Sequence, residues 1–151
     1  MKIGGVELAV RAAVGEVVLG GNVLRVVALT MAQTEAIAAT KPRPVAGKEM
    51  LFDRTLGRSV PVEKDDPAVE KLRREWAEHM QCAEIAAAAG IESRGGLHFD
   101  ASAAADHNAR WAAEIVDEMK RAFTWTEIER ASRVIAELSS PAAQAGAAVK
   151  N

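Results

Sequence analysis

The sequence predicts an α+β fold, mainly α, with about four helices and a small N-terminal antiparallel β-hairpin or three-stranded sheet. Three observations carry that prediction. Between Asp65 and Gly90 a helix start signal, one apolar stripe and a stop signal follow one another. Two later stretches, 103–122 and 124–138, repeat the helical spacing of apolar residues. By contrast, the branched residues Val17, Val18, Val23, Val26 and Val27 crowd around Gly20-Gly21-Asn22, a turn signal between two short β-like runs.

From the N-terminus, Lys2 to Val10 reads as a strand, although Arg11-Ala12-Ala13 can also start a short helical turn. A hairpin follows, pairing Glu16–Leu19 with Val23–Leu29. So small a sheet needs a cover of helix to be stable. Thr30 then caps a helix from Met31 to about Ala39, with Gln33 at the third helical position completing a capping box. Lys41-Pro42-Arg43-Pro44 stops it, because each proline pushes its predecessor out of helical geometry. From Val45 to Lys64 no period persists, so the segment reads as a long loop in which Met50-Leu51-Phe52 anchors to the core in preference to touching a partner.

In the central helix, Asp66 is the cap and Pro67 suits the first turn, where its missing N–H costs nothing. Val69, Leu72, Trp76, Met80, Ala83 and Ala87 form its stripe, and Gly90 supplies the left-handed stop. Glu70/Arg74 and Lys71/Glu75 are spaced to pair on the wet face. After a connector at Ile91–Phe99 that turns at Gly95-Gly96, Asp100 or Ser102 opens a helix over Ala103–Ala122. Ala104, Trp111, Ile115, Met119 and Phe123 share one of its faces, with Ala112 and Val116 beside them. Thr124 caps a last helix carrying Ala131, Val134, Ile135 and Leu138, with Glu127 placed for a capping box and Phe123 and Ile128 for a hydrophobic staple. Residues 1–140 thus read as one domain, and 141–151, small residues without a stripe, as a disordered tail.

Composition narrows the function classes. The 151 residues suffice for one domain with an ordinary core, but aromatic residues make up only 4%, so three Trp and three Phe must supply much of its bulk. A net charge of −2 lacks the basic footprint of a nucleic-acid binder. Cys82, the single cysteine, forms no internal disulfide and fits a reducing compartment. It reads as a small apolar residue beside the helix stripe rather than a reactive thiol. Met1-Lys2 leads into Gly4-Gly5 and Glu7 rather than an apolar secretory core, and no apolar run is long enough to span a bilayer. The expected setting is cytoplasmic, without membrane contact.

There is no G-x-S-x-G elbow, no H-E-x-x-H and no dinucleotide-type glycine spacing, so no catalytic, cofactor or metal site is expected. A minor reading as a metal-dependent enzyme has His79, His98, Asp100 and His107 as its best candidates, with Glu75 and Asp106 nearby in sequence. The plainer reading makes the three histidines solvated or core-edge residues. The apolar stripes serve either an internal core, the preferred reading, or a partner laid into a groove, which Leu72, Trp76, Met80 and Trp111 would then line.

Several segments in order resemble the tail assembly chaperones of long-tailed bacteriophages. They are the opening MKIGGVEL, the capped VVALTMAQTEAIA, the Asp-Pro-entered DPAVEKLRREWAEHMQCAEIAAAAG with its mid-helix Trp, and TWTEIERASRVIAEL at the close. The resemblance implies a non-enzymatic role without cofactor: coating the long helical tape-measure protein, recruiting tail tube subunits and self-associating into homo-oligomers in the cytoplasm of the bacterial host. The chain departs from the pattern at Lys41–Lys64 and at Ile91–Phe99. The competing role is that of a virion structural or connector protein.

Overall fold

The computed structural model describes residues 2–4, 6–7 and 13–139. Among these, four helices and three antiparallel strand pairs make an α+β fold that is mainly α. At the N-terminus β1 (Lys2–Ile3) pairs with β2 (Val6–Glu7), so the single strand expected over Lys2–Val10 is instead folded back. Gly4 makes the fold-back possible, since its φ of 58° is left-handed and open mainly to glycine. The helical turn considered at Arg11-Ala12 lies outside the described residues, as does the tail 140–151.

The expected hairpin forms from β3 (Val14–Leu19) and β4 (Asn22–Val27). Gly20 and Gly21 both take positive φ, which gives a two-residue turn whose twist matches that of the strands. Val17, Leu19 and Val26 turn inward and are buried. Next comes α1 (Met31–Ala38), with the capping box complete: the Gln33 N–H donates to Thr30 Oγ1 at 3.2 Å and the Thr30 N–H to Gln33 Oε1 at 2.9 Å.

The segment 45–64 is not a loop. It forms a second hairpin, β5 (Lys48–Asp53) with β6 (Arg58–Glu63), joined through a turn in which Asp53 Oδ1 accepts the N–H of Thr55 at 2.8 Å and of Leu56 at 3.1 Å. Pro61, mid-strand, argues against a strand in sequence. It is tolerated because Lys64 N–H bonds to the Gly47 carbonyl at 2.7 Å, and alternation from that bond leaves Pro61 at a position that owes no donor to β5.

The long helix α2 (Pro67–Ala89) starts and stops where its signals lie: Asp66 Oδ1 accepts the Ala68 N–H at 3.0 Å, and Gly90 ends it at φ 68°. The stripe divides in two. Met80 and Ala83 of the stripe are buried, joined by Cys82, Ile85, Ala86 and Ala88 from beside it, while Val69, Trp76 and Ala87 are half-buried and Leu72 is exposed. Small side chains in the second half allow α1, α3, α4 and β4 all to pack on this one helix. On the wet side Glu70 pairs with Arg73 at 3.4 Å, not across the four-residue spacing to Arg74.

The third helix, α3 (Ala105–Ala122), begins two residues after the expected Ala103, with Ala104 as N-cap and no side-chain cap bond. Asp100 and Ser102 do not cap it, because the Asp100 carboxylate is used locally: Oδ1 accepts Ser102 N–H at 2.9 Å and Ser102 Oγ–H at 2.7 Å. The α3 face carrying Trp111, Ala112, Ile115, Val116 and Met119 is buried as its spacing predicts. In α4 (Trp125–Leu138) the Thr124 hydroxyl accepts the Glu127 N–H at 3.3 Å, but the reciprocal half of the capping box is absent. Glu127 instead accepts the Gly20 N–H at 2.8 Å, tying the start of α4 to the tip of the first hairpin. Close approach helps here too, since a Cβ on Gly15 would stand 2.8 Å from Leu138 Cδ1. The core fills the space between the second half of α2, α3, α4 and the inner face of β3–β4, closed at one side by Ile37.

Candidate interaction surface

The four residues expected to line a partner groove do not share a surface. Trp111 is fully buried, its Nε1–H donating to the Ile91 carbonyl at 3.2 Å and its ring 5.1 Å from that of Phe99. Met80 is buried in the same core. Trp76 is half-buried under the proline segment: its Nε1–H donates to the Lys41 carbonyl at 3.0 Å, and the Arg43 guanidinium lies 5.8 Å from the ring centroid. Of the four, Leu72 alone is exposed, at 49%. Three of these side chains therefore serve internal packing, the reading preferred for the stripes.

The histidines are likewise separated. His107 Nε2–H donates to the His98 carbonyl at 2.8 Å, and His98 faces Glu92 at 3.6 Å. His79 lies apart, buried beneath α1 and bonded to Thr40 Oγ1 at 3.2 Å. Because the Thr40 hydroxyl gives its proton to the Ile37 carbonyl at 2.6 Å, it accepts from His79, which fixes the proton on Nε2. Among the described residues no three of His, Cys, Asp and Glu come together as metal ligands. The Asp100 carboxylate sits below its ordinary range because it accepts both Ser102 bonds, so it is a turn residue rather than a poised acid. Asn108, which sequence gave no reason to single out, holds that turn: it is buried and grips both backbone groups of Asp100, at 3.3 and 2.8 Å.

Burial, with the charges of Lys41 and Lys120 adding to it, lowers the His79 pKa from 6.5 to about 4. The folded protein therefore holds fewer protons than the unfolded chain between those values, and stability falls as pH drops from 6.5 towards 4. Urea midpoints measured across that window are expected to fall less steeply in His79→Gln than in the parent chain. Equal slopes would show that His79 does not contribute. Burial also raises the Cys82 thiol to about 11, which leaves almost no thiolate at neutral pH. A thiol-reactive disulfide reagent is therefore expected to modify Cys82 only at the rate at which the chain unfolds, and rapid labelling of the native protein would overturn that.

What the fold leaves open is the β5–β6 arm. Met50, Leu51 and Phe52 are 63%, 51% and 65% exposed, with Leu56 exposed at the turn, so the expected core anchor is absent. The reason lies in how the arm is held: its strands pack on each other rather than on the helices. Its base is pinned by Arg73, which bonds Glu63 at 2.9 Å and the Pro44 carbonyl at 3.2 Å. A two-stranded hairpin is marginal in water by itself, and one with large apolar groups turned outward has surface to give to another molecule.

The fold and this surface define a small, mainly helical α+β domain with an apolar arm. No helix among the described residues is long and apolar enough to cross a membrane. Compared with protein-family models, curated proteins and solved structures, the chain matches none of them.

Proposed function

We propose that this chain is a non-catalytic binding factor, a tail assembly chaperone of a long-tailed bacteriophage, that holds the tape-measure protein before tail tube assembly and uses the β5–β6 arm to do so. The observation that carries the reading is the contiguous exposure of Met50, Leu51 and Phe52 on an element that adds nothing to the core. The order of the four sequence segments that resemble this family supports it. Large apolar side chains on an exposed strand suit a helical client, whose own apolar stripe needs cover until the tube encloses it. A surface of net negative charge keeps such a holding factor soluble.

Co-expression with the tape-measure protein of the same phage tests this. The expected result is a soluble complex that survives purification, with tape-measure protein aggregating when the chain is omitted. A tape-measure protein equally soluble in its absence would overturn the proposal. Retention of the chain in purified particles would assign it instead to the virion as a structural or connector protein.

A further inference from the structure

The outer face of the β3–β4 hairpin is built unlike the wet side of a half-buried sheet. Where one side of an antiparallel pair packs on a core, the other normally carries polar residues. Here the inner face already supplies Val17, Leu19 and Val26 to the core, yet the outward positions also carry valines, with Val18 59% and Val23 62% exposed. They stand in directly opposed pairs, Val14 with Val27 and Val18 with Val23, flanking Glu16 opposite Arg25. Ala28 N–H donates to the Ala13 carbonyl at 2.8 Å, so by alternation all three pairs are of the non-hydrogen-bonded kind, whose side chains stand closest. The face is therefore two valine pairs on either side of one acid–base pair.

We propose that this face binds a second copy of this chain, sheet against sheet, about a twofold axis that runs along the hairpin between its strands. That axis exchanges the strands. It sets Glu16 over Arg25 of the other copy, Arg25 over Glu16, and every valine over a valine. An axis across the strands would instead set Glu16 on Glu16 and Arg25 on Arg25. Charge complementarity thus selects both the occupant and its orientation, because a patch with one acid and one base in exchangeable positions is its own counterpart. Face-packed sheets lie about 10 Å apart, close enough for the valines to interdigitate. The inference rests on the first hairpin alone and is independent of the client proposed for the arm.

Sedimentation equilibrium of the full chain tests it. The parent protein is expected at twice its 16.1 kDa mass, dissociating on dilution. Glu16→Arg and Arg25→Glu each place like charges across the axis, and each is expected to weaken association at least tenfold. Mixed in equal amounts, the two variants are expected to dimerise again, since the all-basic centre of one meets the all-acidic centre of the other. The exchanged double variant E16R/R25E keeps the opposed pair within each hairpin and is expected to dimerise like the parent, which separates lost association from a damaged hairpin. A parent chain that stays monomeric at about 100 μM, single variants that dimerise unchanged, or a mixture that does not recover would each overturn the proposal. So would a monomeric parent whose Glu16→Arg variant loses the tape-measure protein, a result that would give this face to the client.

Discussion

Trp111→Ala is expected to lower the free energy of unfolding by about 3–5 kcal/mol, the range for deleting a large aromatic side chain from a core. Trp111 is fully buried where α2, α3 and the Ile91–Phe99 connector meet. The Phe99 ring packs 5.1 Å from it, and the same core holds the small side chains of Ala83, Ala86 and Ala112. Domains of this size are stable by about 5–15 kcal/mol, so the loss is a large fraction of the total. Trp111→Phe keeps most of the ring but leaves the Ile91 carbonyl without its donor, and about 1–3 kcal/mol is expected. Trp125→Ala serves as the contrast: that ring is half exposed at the start of α4, and a smaller loss of about 1–2 kcal/mol is expected. Urea denaturation followed by far-ultraviolet circular dichroism reads all three without relying on tryptophan emission. A Trp111→Ala variant as stable as Trp125→Ala would show that the core is not centred on α3.

The second large effect concerns binding rather than stability. If the proposed complex with the tape-measure protein forms through the arm, the double variant Met50→Gln/Phe52→Gln is expected to weaken it by roughly a hundredfold or more, since truncating an interfacial anchor costs about 2 kcal/mol. Unfolding should move by no more than about 0.5 kcal/mol, because both side chains already face solvent. Pull-down of the tape-measure protein and a urea curve on the same preparation separate the two readouts. Binding retained at parental strength would remove the arm from the interface. A stability loss of several kcal/mol would show that Met50 and Phe52 pack on the body after all.

These two positions mark the line between what is local and what is not. Several starts and stops were legible because they depend on groups three or four residues apart, whereas the start of α3 was not, since Asp100 spends its carboxylate on Ser102 and leaves the helix without a side-chain cap. Thr30 with Gln33, Asp66 with Pro67, the left-handed Gly90 and the paired Gly20-Gly21 each act where the sequence predicts. The buried face of α3 was legible too, since its apolar spacing has one solution. Segment 45–64 was not, because KEMLFD puts apolar residues on both faces of its strand and Pro61 interrupts the partner, so no period survives to be read. The candidate site suffered in the same way: a stripe from Val69 to Ala87 says that a face is apolar, not which of its turns meet a neighbour.

By itself the sequence determined the class of fold, the four helices, the first hairpin and the turn chemistry that delimits α1, α2 and the hairpin. The tertiary structure decided which apolar groups are core and which are surface. It buried Met80 and Trp111, left Met50 and Phe52 in solvent, and turned Glu127 from its own helix to the Gly20 N–H. The physical reason is one of range. Caps and turns are satisfied within a few residues of chain, whereas burial depends on what packs opposite, and Gly20 and Glu127 are 107 residues apart.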